Sequence, residues 1–152
     1  MLRRCALFES LSTEQVEKVA GIATRKDAAE GQPIFREGST GDEMYVVVAG
    51  TVHISKEIPG AGEEALTLLG PGSYFGEMAA IDDAPRSADA VAHTACALLA
   101  IRREDLDQVM FLDKDLAYAV LWAFVRTLSS RLRETTEKLR SFFALAGPPG
   151  GV

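Results

Sequence analysis

The sequence predicts a mainly β domain, an antiparallel barrel or jelly roll flanked by helices. Short runs rich in β-branched residues fill positions 25–101, glycines cut them at regular intervals, and helical periodicity frames them on both sides. With 152 residues and 47% apolar content, the chain is large enough for one full hydrophobic core.

The elements follow in order. Ser12-Thr13-Glu14-Gln15 fits a capping box, and Leu11, Val16, Val19, Ala20 and Ile22 form the apolar stripe of a first helix that ends near Ile22. Strands begin at about Arg25. Met44 to Ala49, then Gly50, then Thr51 to Ser55 reads as a hairpin of β-branched residues. Gly31, Gly38, Gly41, Gly60, Gly62, Gly70 and Gly72 supply turns, and Ser87 to Ala92 and Cys96 to Ile101 read as closing strands. A short helix from Arg103 to Met110 precedes a long one from about Lys114 to Phe143. Along the long helix Tyr118, Val125, Leu132 and Leu139 hold one heptad seam position, and Leu121, Leu128, Thr135 and Phe142 the other. A sustained seam of this kind calls for a partner helix, so a homodimer through residues 118–142 is expected, with the first half of the helix also packing on the barrel. One domain is expected over residues 1–143, and the glycine- and proline-rich residues 144–152 read as a disordered tail.

Composition narrows the function. A net charge of −6 and a sequence pI of about 4.9 disfavour nonspecific nucleic-acid binding, which requires a surplus of Lys and Arg. Arg126, Arg131, Arg133, Lys138 and Arg140 read as a solvated helix face. Cys5 and Cys96 stand far apart, and His53 and His93 have no partner at metal-ligand spacing, so no metal is expected. The N-terminus lacks a signal-peptide apolar stretch, and the run from Ala119 to Val125 is too short to span a bilayer, which predicts a cytoplasmic protein without membrane association.

The chemistry concentrates between Phe75 and Ala88. Gly76 lets backbone N–H groups approach a ligand, and the small residues after it open a short helix whose free N–H groups attract an anion. Arg86 offers a fork of donors matched to phosphate oxygens, and Glu77 offers an acceptor for a sugar diol. A carboxylate and a guanidinium on one short segment point to a ligand that carries hydroxyls and a single negative charge. The competing reading is an ordinary turn with an exposed Glu77–Arg86 ion pair.

The run Phe75-Gly76-Glu77-Met78-Ala79-Ala80-Ile81, followed by Pro85-Arg86-Ser87-Ala88, resembles the phosphate-binding cassette of cyclic-nucleotide-binding domains. There F-G-E-[LM]-A-[LA]-[IL] leads through three variable residues to P-R-[AST]-A. Ile34 to Asp42 is similar to that family's I-x-x-E-G-x-x-G-D pattern, Tyr45 to Val52 to its Y-x-[IV]-x-x-G-x-V, and Leu69-Gly70-Pro71-Gly72 to its L-x-P-G. The resemblance covers most of residues 7–140 and implies a roll of about eight strands.

It also implies a ligand site at Phe75, Gly76, Glu77, Met78, Ala79, Arg86, Ser87 and Ala88. Gly76 and Ala79 would give N–H groups to the cyclic phosphate, Glu77 would hold the ribose 2′-OH, Arg86 would pair the equatorial phosphate oxygen, and Ser87 would add a contact. Residues 131–138 resemble the dimer helix of the bacterial catabolite-activator branch, which implies that Thr135 meets the base of its own subunit and Thr136 that of the partner. The expected ligand is cAMP, with cGMP open because Ser87 stands where cGMP-selective kinase sites carry a threonine. No cofactor is implied.

Transcriptional members of the family carry a helix-turn-helix after the dimer helix, for which too few residues follow here. Direct DNA binding is therefore not expected, and output is expected to pass through an unidentified downstream protein. A non-binding dimerisation scaffold of the same fold is the alternative. No Ser-His-Asp order, metal cluster or Walker sequence suggests an enzyme.

Overall fold

In the computed structural model, which describes residues 2–60 and 62–146, two four-stranded antiparallel sheets face each other. The strands are β1 (Ala23–Ala28), β2 (Pro33–Phe35), β3 (Glu43–Ala49), β4 (Val52–Ile58), β5 (Gly62–Leu69), β6 (Tyr74–Phe75), β7 (Asp89–Ala92) and β8 (Cys96–Arg102). One sheet runs β1-β8-β3-β6 and the other β2-β7-β4-β5. The helices are α1 (Thr13–Ile22), α2 (Glu77–Ile81), α3 (Arg103–Leu112) and α4 (Lys114–Ala146), with a short 3-10 turn at Leu2–Arg4. This is the jelly roll with flanking helices that the sequence predicts.

Two cores account for its stability. Val47, Val52, Ala90, Ala92 and Leu98 are buried between the sheets. Phe8, Val19, Met44, Val46, Leu116 and Phe124 form a second core under the helices. Both faces of the first sheet are thus covered. That explains why Met44 to Val47 is a continuous buried run rather than an alternating one.

The capping box at the start of α1 forms as expected. Ser12 Oγ accepts from the Gln15 N–H at 3.2 Å, and Ser12 N–H donates to Gln15 Oε1 at 3.0 Å. Asp113 joins α3 to α4, accepting from the Leu116 N–H at 2.9 Å and pairing with Lys18 of α1 at 3.1 Å. The Leu116 N–H and the Lys18 ammonium together hold its carboxyl below the usual range.

The structure corrects two expectations. Residues 44–55 do not form a hairpin, because β3 pairs with β8 and β6 while β4 pairs with β5 and β7. Gly50, at φ +82°, turns the chain from one sheet to the other. A Cβ there would lie 2.2 Å from the Ala95 carbonyl oxygen, so the corner needs glycine on both counts. The long helix also continues past Phe143, and Ala144, Leu145 and Ala146 are helical. The rest of the expected tail, residues 147–152, lies outside the described residues.

Helix α4 buries Leu116, Val120 and Phe124 against the roll, while most of the large heptad residues are exposed. Tyr118, Leu132 and Phe142 are each about two-thirds exposed, at 67%, 69% and 66%.

Candidate functional site

Strand β6 delivers Phe75, and Gly76 then adopts φ +74° as the N-cap of α2. A side chain at Gly76 would collide with Arg86 Nη1 at 2.8 Å and crowd the Glu43 carbonyl oxygen at 3.2 Å. This close approach brings the next residue, Glu77, into the interior, where it is 1% exposed. Ala79 is buried beside it, while Met78 is exposed and its sulfur lies 3.7 Å from Ser87 Oγ.

Arg86 is also buried. Its Nη1 donates to the Gly76 carbonyl at 3.1 Å and its Nη2 to the Glu43 carbonyl at 2.8 Å. Nε has no hydrogen-bond partner among the described residues. Burial pushes the guanidinium pKa down, yet an arginine remains charged at any physiological pH. The expected alternative of an exposed Glu77–Arg86 pair is therefore wrong. Both groups are buried, and Glu77 pairs with a different arginine.

That arginine is Arg131 of α4. Its Nη1 donates to Glu77 Oε1 and its Nη2 to the Tyr74 carbonyl at 3.3 Å. The sequence reading placed Arg131 on a solvated face. Its spacing was the available signal, since it stands one helical turn before Thr135 and so shares that residue's face.

These groups line a cavity of about 660 Å³. The cassette residues Phe75, Gly76, Glu77, Met78, Ala79, Arg86 and Ser87 form one end. Ile54, Leu66 and Leu69 supply an apolar wall, and α4 contributes Thr127, Ser130, Arg131, Glu134, Thr135 and Lys138, all on one helix face. Two expected residues are not in the lining: Ala88 is buried behind it, and Thr136 lies on another part of the helix surface. The hydroxyls of Thr135 and Thr136 donate to the Arg131 and Leu132 carbonyls, each at 2.8 Å.

The donor set fits a ribose phosphate. Glu77 is an acceptor in the cavity lining, Arg86 keeps a buried N–H without a partner, and Gly76 brings the N-terminus of α2 to the same lining. A second depression, of about 710 Å³, carries Asp42, Asp82, Asp83, Glu104 and Asp107 and so repels an anion. Among the described residues no cluster of three His, Cys, Asp or Glu side chains could hold a metal, and no helix is long and apolar enough to cross a membrane.

The family model described as "Cyclic nucleotide-binding domain" matches residues 25–113, which include every cassette residue and both sheets from β2 onward. The chain belongs to the cyclic nucleotide-binding domain family. It is 41% identical over 99 residues to the cyclic AMP receptor protein of Thermus thermophilus, covering 65% of this chain and 46% of the relative. It is 35% identical over 92 residues to a cAMP-dependent protein kinase regulatory subunit of Mucor circinelloides, covering 60% and 21%.

Among solved structures, the Thermus thermophilus catabolite activator protein superposes with a TM-score of 0.81 at 35% identity, covering 90% of this chain and 62% of that one. The chain spans about half the length of the receptor-type relatives it matches. The Thermus thermophilus and Mucor circinelloides relatives are regulatory proteins, a receptor and a kinase regulatory subunit.

Proposed function

We propose that this cyclic nucleotide-binding domain is a sensor that takes cAMP in preference to cGMP and passes the signal on through α4. The observation that carries the reading is the joint burial of Glu77 and Arg86 at one end of a single cavity, with Arg131 of α4 bonded to Glu77. A cyclic phosphate would meet Arg86 Nε and the amides of α2, and the ribose would meet Glu77. The printed names of the relatives, a cyclic AMP receptor and a cAMP-dependent regulatory subunit, support the adenine nucleotide.

The base preference has a chemical argument of its own. Thr135 spends its proton on the Arg131 carbonyl, which leaves its oxygen as an acceptor facing the cavity. Adenine offers an N6 amino group to such an acceptor, whereas guanine offers a carbonyl oxygen, which it repels.

The relay follows from the same contacts. Ribose hydroxyls that reach Glu77 compete with Arg131 for its carboxylate, so ligand and helix positions are linked by one residue. With the exposed seam of α4, the reading predicts that two chains pair along residues 118–142 and that Thr136 faces the partner's ligand. The downstream protein would read the change in that helix pair.

One observation favours the non-binding scaffold: Glu77 already has a partner in Arg131 and two Arg86 nitrogens already have theirs, so the site closes on itself. Titration of Arg86→Ala separates the two readings. The sensor predicts a loss of about 1.5–3 kcal/mol in cAMP affinity, the scale of a charge-assisted hydrogen bond. Unchanged affinity would refute the assignment of the phosphate to Arg86.

A further inference from the structure

We propose that Phe35 is the positioning residue of this site: its ring and the bare backbone of Gly41 hold the Arg86 guanidinium flat, with Nε buried and without a hydrogen-bond partner among the described residues. The proposal deepens the ligand reading above and rests on it.

A buried guanidinium loses its hydration, and its usual compensation is a carboxylate. Among the described residues none pairs with Arg86, whose bonded partners are the carbonyls of Gly76 and Glu43. The nearby Glu43 carboxylate is turned elsewhere, to the Tyr45 hydroxyl at 2.8 Å and to Lys26. In place of an anion, the Arg86 Cζ sits 4.1 Å from the centroid of the Phe35 ring. An aromatic face offsets part of the desolvation without occupying any N–H donor and without cancelling the charge. A carboxylate in its place would compete with the phosphate for both.

The platform is itself held. Phe35 packs against Tyr45 and Phe75 with ring centroids 6.0 and 5.8 Å away, and those two stack on each other at 5.2 Å. Gly41 lies so close that a Cβ there would fall 2.5 Å from Nη2 and 2.7 Å from Nε. With both Nη atoms tied to carbonyls and the ring covering the guanidinium, the group has little rotational freedom left to lose when an anion binds.

The test uses Phe35→Leu and Phe35→Tyr, with cAMP and adenosine titrated separately and the Arg86 Nε–H resonance followed by NMR in ligand-free protein. That resonance is assigned by its disappearance in Arg86→Ala. Phe35→Leu is expected to weaken cAMP about 3- to 30-fold, the range of a partly to fully desolvated cation–π contact, and to leave adenosine, which lacks the phosphate, unchanged. Phe35→Tyr should restore the cAMP affinity. In wild type the Nε–H resonance should be ring-current shifted, and it should move in Phe35→Leu.

Equal cAMP affinity in Phe35→Leu, or parallel losses of cAMP and adenosine, would overturn the positioning role. Absence of nucleotide binding by the wild type would refute the ligand reading instead, and the Nε–H shift would still decide whether the ring holds the guanidinium.

Discussion

At the level of single residues, what sets this site apart is how its charges are partnered. Glu77 is bonded to a helix more than fifty positions away in sequence, and Arg86 is bonded to carbonyls and an aromatic face. The first arrangement ties the ligand end of the cavity to α4, and the second keeps a positive charge available. In the proposed sensor, Thr135 would add the choice between bases. Replacing it by valine keeps the shape and removes the acceptor, so Thr135→Val should lose part of its cAMP affinity, about 0.5–1.5 kcal/mol, and little of its cGMP affinity. Paired titrations with the two nucleotides check this, and an unchanged ratio would remove Thr135 from base selection.

Most of the cassette was legible in the sequence because its groups lie within fourteen consecutive positions, Phe75 to Ala88. Phe35 was not, since it reaches the site only through tertiary packing, and Arg131 was marked only by its one-turn spacing from Thr135, which a solvated helix face shares. Thr136 follows Thr135 in sequence but lies outside this chain's cavity lining, because successive residues on a helix point about 100° apart.

At the level of elements, the roll depends on corners. The β-branched runs on either side of Gly50 were read correctly as strands and incorrectly as a pair, because a glycine turn between two strands has the same local signature in a hairpin and in a corner between sheets. β3 pairs mainly with the distant β8, and β4 with β5 and the more distant β7, and only the fold reveals these partners.

The corner gives a clear prediction. Gly50→Ala must both strain a backbone at φ +82° and push a methyl group against the Ala95 carbonyl, and should cost at least ~2 kcal/mol in a denaturant melt. Gly31→Ala, at φ +79° with open space around the added carbon, should cost clearly less. Equal costs would show that strain alone matters and that the Ala95 contact does not.

At the level of the whole molecule, α4 joins two surfaces of different character. One face closes the cavity with polar side chains, and the seam beside it leaves large apolar residues exposed. Paired chains would cover that seam. The double variant Leu132→Glu, Leu139→Glu places charges on it without touching the cavity lining, and should convert a dimer to a monomer in sedimentation or light scattering. A wild type that is monomeric at high micromolar concentration would remove the dimer from this account.

The central claim is that Glu77, Arg86 and α4 enclose a cyclic nucleotide. Calorimetric titration of folded, nucleotide-stripped protein with cAMP and then with cGMP tests it most directly. The account predicts saturable binding at one site per chain, tighter for cAMP. No heat with either nucleotide, from protein shown to be folded and ligand-free, would contradict it and leave the scaffold reading standing.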